Sequence, residues 1–154
     1  MTHRILFVCL GNICRSPSAE GVVRQMAAKR GLDVTLDSAG TGAWHAGEPP
    51  YGPMQEAAAR RGYDLSDLRA RQVTKGDFDA FDLIIAMDAD NLANLANLMR
   101  MAQGRGQGAG LALFTDYAPQ TRADHVPDPY YTRDFDGTLD LVEICAAGLL
   151  DQLA

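Results

Sequence analysis

The sequence predicts a three-layer α/β/α fold around a four-stranded parallel sheet. Three observations predict it. Short runs rich in apolar and β-branched residues recur along the chain, at 4–9, 33–38, 81–87 and 111–114. Stretches with one apolar helical face lie between or after them, the βαβ pattern that implies parallel strands. A tight turn containing Gly11 and Asn12 joins the first strand to the first helix.

The first strand, Arg4–Cys9, is apolar from Ile5 onward and suits burial on both faces. Ser16 and Pro17 have the character of an N-cap and a first helical residue. Ala19, Val22, Val23, Met26 and Ala27 then share one helical face, and Gly31 ends the helix. The second strand is expected at Asp33–Ser38. Residues 40–53 form a long loop around Trp44, rich in glycine and proline. A short helix over Met54–Arg61 stops at Gly62. The third strand is Phe81–Met87, followed by a helix capped by Asp88 or Asp90, with Leu92, Leu95, Ala96 and Met99 on one face. Gly104–Gly110 reads as a turn, Leu111–Phe114 as the fourth strand and 115–134 as a second long loop. The last helix carries Val142, Cys145, Leu149 and Leu153 on its apolar face, which makes Cys145 a core residue.

The 154 residues suit a single domain, 1–154, with 47% hydrophobic and 22% charged residues. The net charge of −6 argues against nucleic acid as a partner. No apolar run is long enough for a membrane span, and Ile5–Leu10 is too short for an export signal. Three cysteines without such a signal point to the reducing cytoplasm and to thiol chemistry. No His/Cys/Asp cluster has metal-ligand spacing, so neither a metal nor another cofactor is expected. His3, His45 and His125 receive no chemical role.

Ligands of open α/β sheets bind at the carboxyl ends of the strands. The loop Cys9-Leu10-Gly11-Asn12-Ile13-Cys14-Arg15 stands there, directly before a helix. Inward backbone N–H groups, a helix N-terminus and the Arg15 fork together suit an oxyanion. The same surroundings favour a cysteine as thiolate, the nucleophilic form. Taken alone, Cys9 reads more readily as a small core residue than as a nucleophile. Its place between strand and helix is what gives the loop chemical meaning. A Walker loop would require Lys-Ser/Thr after its glycines, and a dinucleotide fingerprint three glycines. Neither is present.

V-C-L-G-N-I-C-R-S at the first strand, D-S-A-G-T at 37–41, A-R-Q at 70–72, F-D-L-I-I-A-M-D at 81–88 and D-P-Y-Y at 128–131 occur in one order across nearly the whole chain. In that order and spacing the sequence resembles the low-molecular-weight protein tyrosine phosphatases. The resemblance implies hydrolysis of phosphotyrosine, an aryl phosphate monoester, through a cysteinyl-phosphate on Cys9. Arg15 would bind the phosphoryl oxygens and Ser16 would donate to the Cys9 sulfur. Asn12, with Ser38 as partner, would hold the loop. Asp128 would be general acid and then base. Chemistry asks for such an acid, because a phenol of pKa about 10 leaves poorly as its anion. By composition alone Asp128, between Pro127 and Pro129, reads more readily as the start of a turn, and only the resemblance raises it above Asp116, Asp124 and Asp134.

The resemblance places Trp44, Tyr130 and Tyr131 as walls of a slot for a phenyl ring, with Leu10 and Ile13 at its mouth. Read alone, the two tyrosines fit half-buried packing as well. Some relatives that resemble phosphoarginine phosphatases carry Thr where this chain has Ile13, so Ile13 favours phosphotyrosine. Cys14 is the implied partner of Cys9 in a reversible, regulatory disulfide, and a buried small residue otherwise. The expected partners are a phosphotyrosine-bearing protein and inorganic phosphate or a similar oxyanion in the loop. One position departs from the family pattern. Leu68 stands where relatives often have the His that braces the loop asparagine, which leaves open what braces Asn12. A thioredoxin-coupled arsenate reductase of the same fold would need two further cysteines after the third strand, and 81–110 has none. A non-catalytic phosphate-binding module would not need Cys9, Arg15 and Asp128 together.

Overall fold

The computed structural model describes residues 2–102 and 108–154. The chain runs β1 (His3–Cys9), α1 (Arg15–Arg30), β2 (Val34–Gly40), α2 (Gly52–Arg60), α3 (Asp77–Ala80), β3 (Leu83–Ala86), α4 (Ala89–Met101), β4 (Gly110–Leu113), α5 (Pro129–Thr132) and α6 (Phe135–Leu153), with two 3-10 turns after β4. The four strands form one parallel sheet in the order β2-β1-β3-β4.

β1 is central and buried from both sides, as its unbroken apolar run requires. Ile5 and Phe7 point into a core shared with Val22 and Val23 of α1 and Leu139, Val142 and Leu149 of α6. Leu6 and Val8 point the other way, onto Phe78, Ile84 and Leu95. Those two cores make the three layers. Cys145 lies at 0% exposure in the first core, as expected.

The chain leaves β1 toward β2 on one side and returns to β3 on the other. That reversal opens a crevice between the carboxyl ends of β1 and β3. Cys9 ends β1 and Asp88 follows β3, so the topology brings both to the crevice.

Several expectations need correction. α1 begins at Arg15 with Cys14 at its N-cap, so Ser16 does not cap it. The Ser16 hydroxyl faces the Cys9 sulfur instead. The second strand extends to Gly40, the third shortens to Leu83–Ala86, and Phe114 leaves the fourth to open a 3-10 turn. The loop 115–134 contains the 3-10 turns and α5, and the single turn α3 was not expected at all. α4 takes Asp88 as its cap, accepting from the Asn91 N–H. Of the turn expected at Gly104–Gly110, positions 104–107 lie outside the described residues.

Candidate active site

The loop from Cys9 to Arg15 is fixed from outside by its own carbonyls. Thr41 donates to Cys9 O at 2.9 Å, Gly42 to Leu10 O at 3.0 Å and Tyr51 to Ile13 O at 2.8 Å. Gly40 is required here, because a Cβ at that position would sit 2.7 Å from Leu10 O. Asn12 adopts a left-handed conformation with φ 58°, which turns the loop back on itself. Its backbone N–H then reaches the Cys9 Sγ at 3.2 Å.

Cys9 is 3% exposed, and its sulfur also lies 3.0 Å from Ser16 Oγ. Behind it runs a buried polar chain. Asn12 Nδ2 donates to Ser16 Oγ at 2.8 Å and to Ser38 Oγ at 3.0 Å. Ser38 in turn donates to Glu20 Oε1 at 2.7 Å. Asn12 Oδ1 accepts from the Arg71 backbone N–H at 3.0 Å. Arg71 itself is held by Asp37 and Asp77, both at 3.0 Å. Leu68 packs against the apolar core. The bracing of Asn12 therefore falls to Ser38 and to the main chain of Arg71.

Arg15 is buried, with its side chain 4% exposed. Its Nη1 donates to Asp88 Oδ2 at 2.8 Å and to Val126 O at 3.0 Å, while Nη2 lies 3.6 Å from Asp128 Oδ2. Burial opposes its charge, but Cys9, Asp88 and Asp128 outweigh that and raise its pKa further. Asp128 caps α5 by accepting from the Tyr130 N–H at 3.1 Å, which fixes the carboxylate at the crevice. Burial pushes the Cys14 thiol well above its ordinary range, and the neighbouring Asp128 and Cys9 add to that.

Above the loop is a cleft of about 350 Å³. Its floor is Cys9, Gly11, Cys14 and Arg15, and Leu10 and Ile13 border it. Trp44, Tyr130 and Tyr131 form the walls, with Asp128 between floor and wall. Trp44 and Tyr131 are each 73% exposed, so two large apolar rings stand in solvent around a buried sulfur. The Trp44 ring folds over Gly42, where any Cβ would collide with it. Every residue singled out for the cleft lines it, and Asn12, Ser16 and Ser38 stand behind the sulfur.

Four participants go beyond the residues to which the sequence points. His45 lines the cleft and pairs with Glu48 at 2.5 Å. Its place beside Trp44 in the long loop was the available signal. Asp88, which its sequence position marks as a helix cap, also holds Arg15. Glu20 and Arg71 brace Asn12 from elements distant in sequence.

Comparison with known proteins places the chain in a family. The family model for low molecular weight phosphotyrosine protein phosphatase matches residues 4–154. The low molecular weight protein-tyrosine-phosphatase YfkJ of Bacillus subtilis is 44% identical over 148 residues, covering 95% of this chain and 92% of YfkJ. The crystal structure of YfkJ superposes with a TM-score of 0.90, covering 99% of this chain and 95% of that one at 41% identity. A protein tyrosine phosphatase from Entamoeba histolytica, solved with Hepes in its active site, gives a TM-score of 0.87 at 34% identity, with 98% and 96% of the two chains covered. With the match spanning nearly its full length, the chain belongs to the low molecular weight phosphotyrosine protein phosphatases, a family of enzymes.

Proposed function

We propose that this protein hydrolyses phosphotyrosine in proteins through a phosphocysteine on Cys9. One observation carries the reading. A buried sulfur accepting from the Asn12 N–H and facing the Ser16 hydroxyl lies at the floor of a cleft that also holds Arg15 and Asp128 and is walled by exposed aromatic rings. The Entamoeba relative was solved with Hepes, a sulfonate, in its active site, which fits an oxyanion-binding role for the loop here.

In the first step Cys9 Sγ attacks phosphorus as the thiolate. The P–O bond to the tyrosine breaks, and Asp128 gives its proton to the departing phenolate oxygen. Arg15 and the loop amides hold the three phosphoryl oxygens, because phosphoryl transfer is won mostly by positioning and charge stabilisation. In the second step Asp128, now ionised, takes a proton from water. The water oxygen attacks phosphorus, the P–S bond breaks, and Cys9 leaves as thiolate with Ser16 donating to it. Inorganic phosphate is the product. No step calls on a metal or other cofactor, so a chelator leaves the rate unchanged.

The aromatic walls make the slot deep. The exposed Trp44 and Tyr131 rings stand around a buried Cys9, an arrangement that favours the long, flat phenyl phosphate over the shorter phosphoserine side chain. Cys14 lines the same floor and serves as the partner of Cys9 in a protective disulfide. Free thiols at Cys9, Cys14 and Cys145 fit a working place in the reducing cytoplasm.

The test compares turnover of phosphotyrosine, phosphoserine and phosphoarginine peptides by the wild type and by Cys9→Ser. The reading expects phosphotyrosine to be hydrolysed far faster than the others, and Cys9→Ser to bind a phosphate analogue without turnover. Faster release from phosphoarginine or phosphoserine, or turnover by Cys9→Ser, would contradict it.

A further inference from the structure

Three residues other than glycine hold a left-handed backbone among the described residues: Asn12, Arg122 and Arg133. Asn12 shapes the phosphate loop. Arg133, at φ 64°, closes α5, donating its N–H to Pro129 O at 2.9 Å. Glycine would take this conformation without strain, and a long side chain does not. What the arginine gains there is visible. Its guanidinium carbon lies 5.3 Å from the centroid of the Tyr51 ring and 5.2 Å from that of Phe135. Its Nη1 also donates to the Tyr51 hydroxyl at 3.0 Å, across 82 positions of sequence. Stacking on two rings with a directed hydrogen bond is a use that suits the planar guanidinium and not an ammonium.

Tyr51 is the other half of this contact. Its N–H donates to Ile13 O of the phosphate loop, and its ring meets that of Tyr130 at 5.2 Å. α5 has four residues and opens on Asp128, whose carboxylate caps it and whose carbonyl accepts from Tyr131 and Thr132. A single turn of helix does not hold itself in water. It needs a tertiary anchor at its free end, and Arg133 is at that end.

We propose that Arg133 is a positioning residue for the general acid. It clamps the turn that carries Asp128 to Tyr51, and through Tyr51 to the phosphate loop, so that carboxyl and sulfur keep one separation. The inference rests on the reading of Asp128 as the acid given above. Arg133 is not among the residues that line the cleft. Its effect appears in the steps where Asp128 moves a proton, and kcat/KM reads the first of them, the departure of the phenolate.

The experiment uses the full chain and three variants, Arg133→Gly, Arg133→Lys and Asp128→Asn. Each is assayed for kcat/KM on a phosphotyrosine peptide and on p-nitrophenyl phosphate, whose nitrophenolate departs with far less help from an acid. Arg133→Gly suits the left-handed position, so the fold is retained and a thermal melt verifies it. A loosened acid lowers kcat/KM on the peptide by about 10-fold, and by less than about 2-fold on the nitrophenyl ester. Arg133→Lys keeps the charge and loses the planar fork, and recovers less than half of the peptide rate. Equal losses on both substrates, no loss on either, or full recovery by lysine would overturn the proposal, the last by assigning the effect to charge alone. Asp128→Asn separates the two readings. If it spares the nitrophenyl ester and Arg133→Gly shows no such bias, only the clamp fails. If Asp128→Asn itself shows no bias, the acid assignment fails and the clamp with it.

Discussion

Ser16 Oγ lies 3.0 Å from Cys9 Sγ, and the surrounding hydrogen bonds fix the direction of that contact. Asn12 Nδ2 already donates to Ser16 Oγ at 2.8 Å. The one hydroxyl proton is left for the sulfur or for Ala39 O, and the carbonyl is farther, at 3.5 Å. The serine therefore donates to the sulfur, which stabilises the anion that attacks and later leaves. A hydrogen bond to a charged group contributes about 1.5–3 kcal/mol, so Ser16→Ala lowers kcat by about 10- to 100-fold. Binding of inorganic phosphate by the variant changes little, because Arg15 and the loop amides remain. Steady-state kinetics with a phosphate inhibition series check both halves.

The polar chain behind the sulfur ends on a carboxyl whose titration is shifted. Burial raises Glu20 above the ordinary carboxyl range, Asp37 and Asp67 add to this, and the Ser38 bond and Arg24 pull it back. The folded chain thus keeps that proton to higher pH than the unfolded chain. Stability falls as pH rises from the ordinary value, about 4.3, through the folded value. Glu20→Gln keeps an acceptor for Ser38 and removes the ionisation. Melting temperatures across roughly pH 4 to 7 should show the wild type losing ground to Glu20→Gln as pH rises. Parallel profiles would contradict the shift. The lost pair with Arg24 lies partly in solvent and contributes at most about 1 kcal/mol.

Gly40 lets β2 pass close to the phosphate loop. Gly40→Ala places a Cβ 2.7 Å from Leu10 O and 3.3 Å from Asn12 Cβ. The first neighbour is backbone and cannot rotate away. The loop must shift, at a cost of about 1–3 kcal/mol in stability. Because the displaced segment is the anion cup, turnover falls as well, and denaturant unfolding beside kinetics registers the two together.

Peroxide would convert the Cys9 thiolate to a sulfenic acid, which condenses with the Cys14 thiol to a disulfide and releases water. The attacking form is the Cys14 thiolate, and burial disfavours it most. Its fraction grows as pH rises toward the raised value, so disulfide formation speeds up with pH and competes better with overoxidation. Thiol mass mapping after peroxide treatment at rising pH should show more Cys9–Cys14 disulfide and less Cys9 sulfinic acid. The opposite trend would remove Cys14 from the role.

Much of this molecule could be read from its sequence, for reasons that particular residues make clear. The unbroken apolar run from Ile5 to Cys9 specifies a strand with a core on each side, and the strand–loop–helix order puts Cys9 and Arg15 at one edge. Local pattern served less well where one residue type has two uses. Ser16 has the composition of a helix cap, and only the path of the loop shows its hydroxyl turned to the sulfur. α3, Asp77–Ala80, is too short to show helical periodicity. Glu20 looks like a solvated helix charge until β2 brings Ser38 against it. Arg133 and Tyr51 carry no local sign of each other, because folding alone joins them.

The central claim is that the phosphoryl group passes through the sulfur of Cys9. Acid quenching during turnover of a phosphotyrosine peptide, followed by peptide mass analysis, tests it most directly. One phosphoryl group on the peptide containing Cys9, formed and lost at the rate of turnover, is the expected result. Turnover with no phosphorylated intermediate, or with the phosphoryl group on another residue, would contradict it.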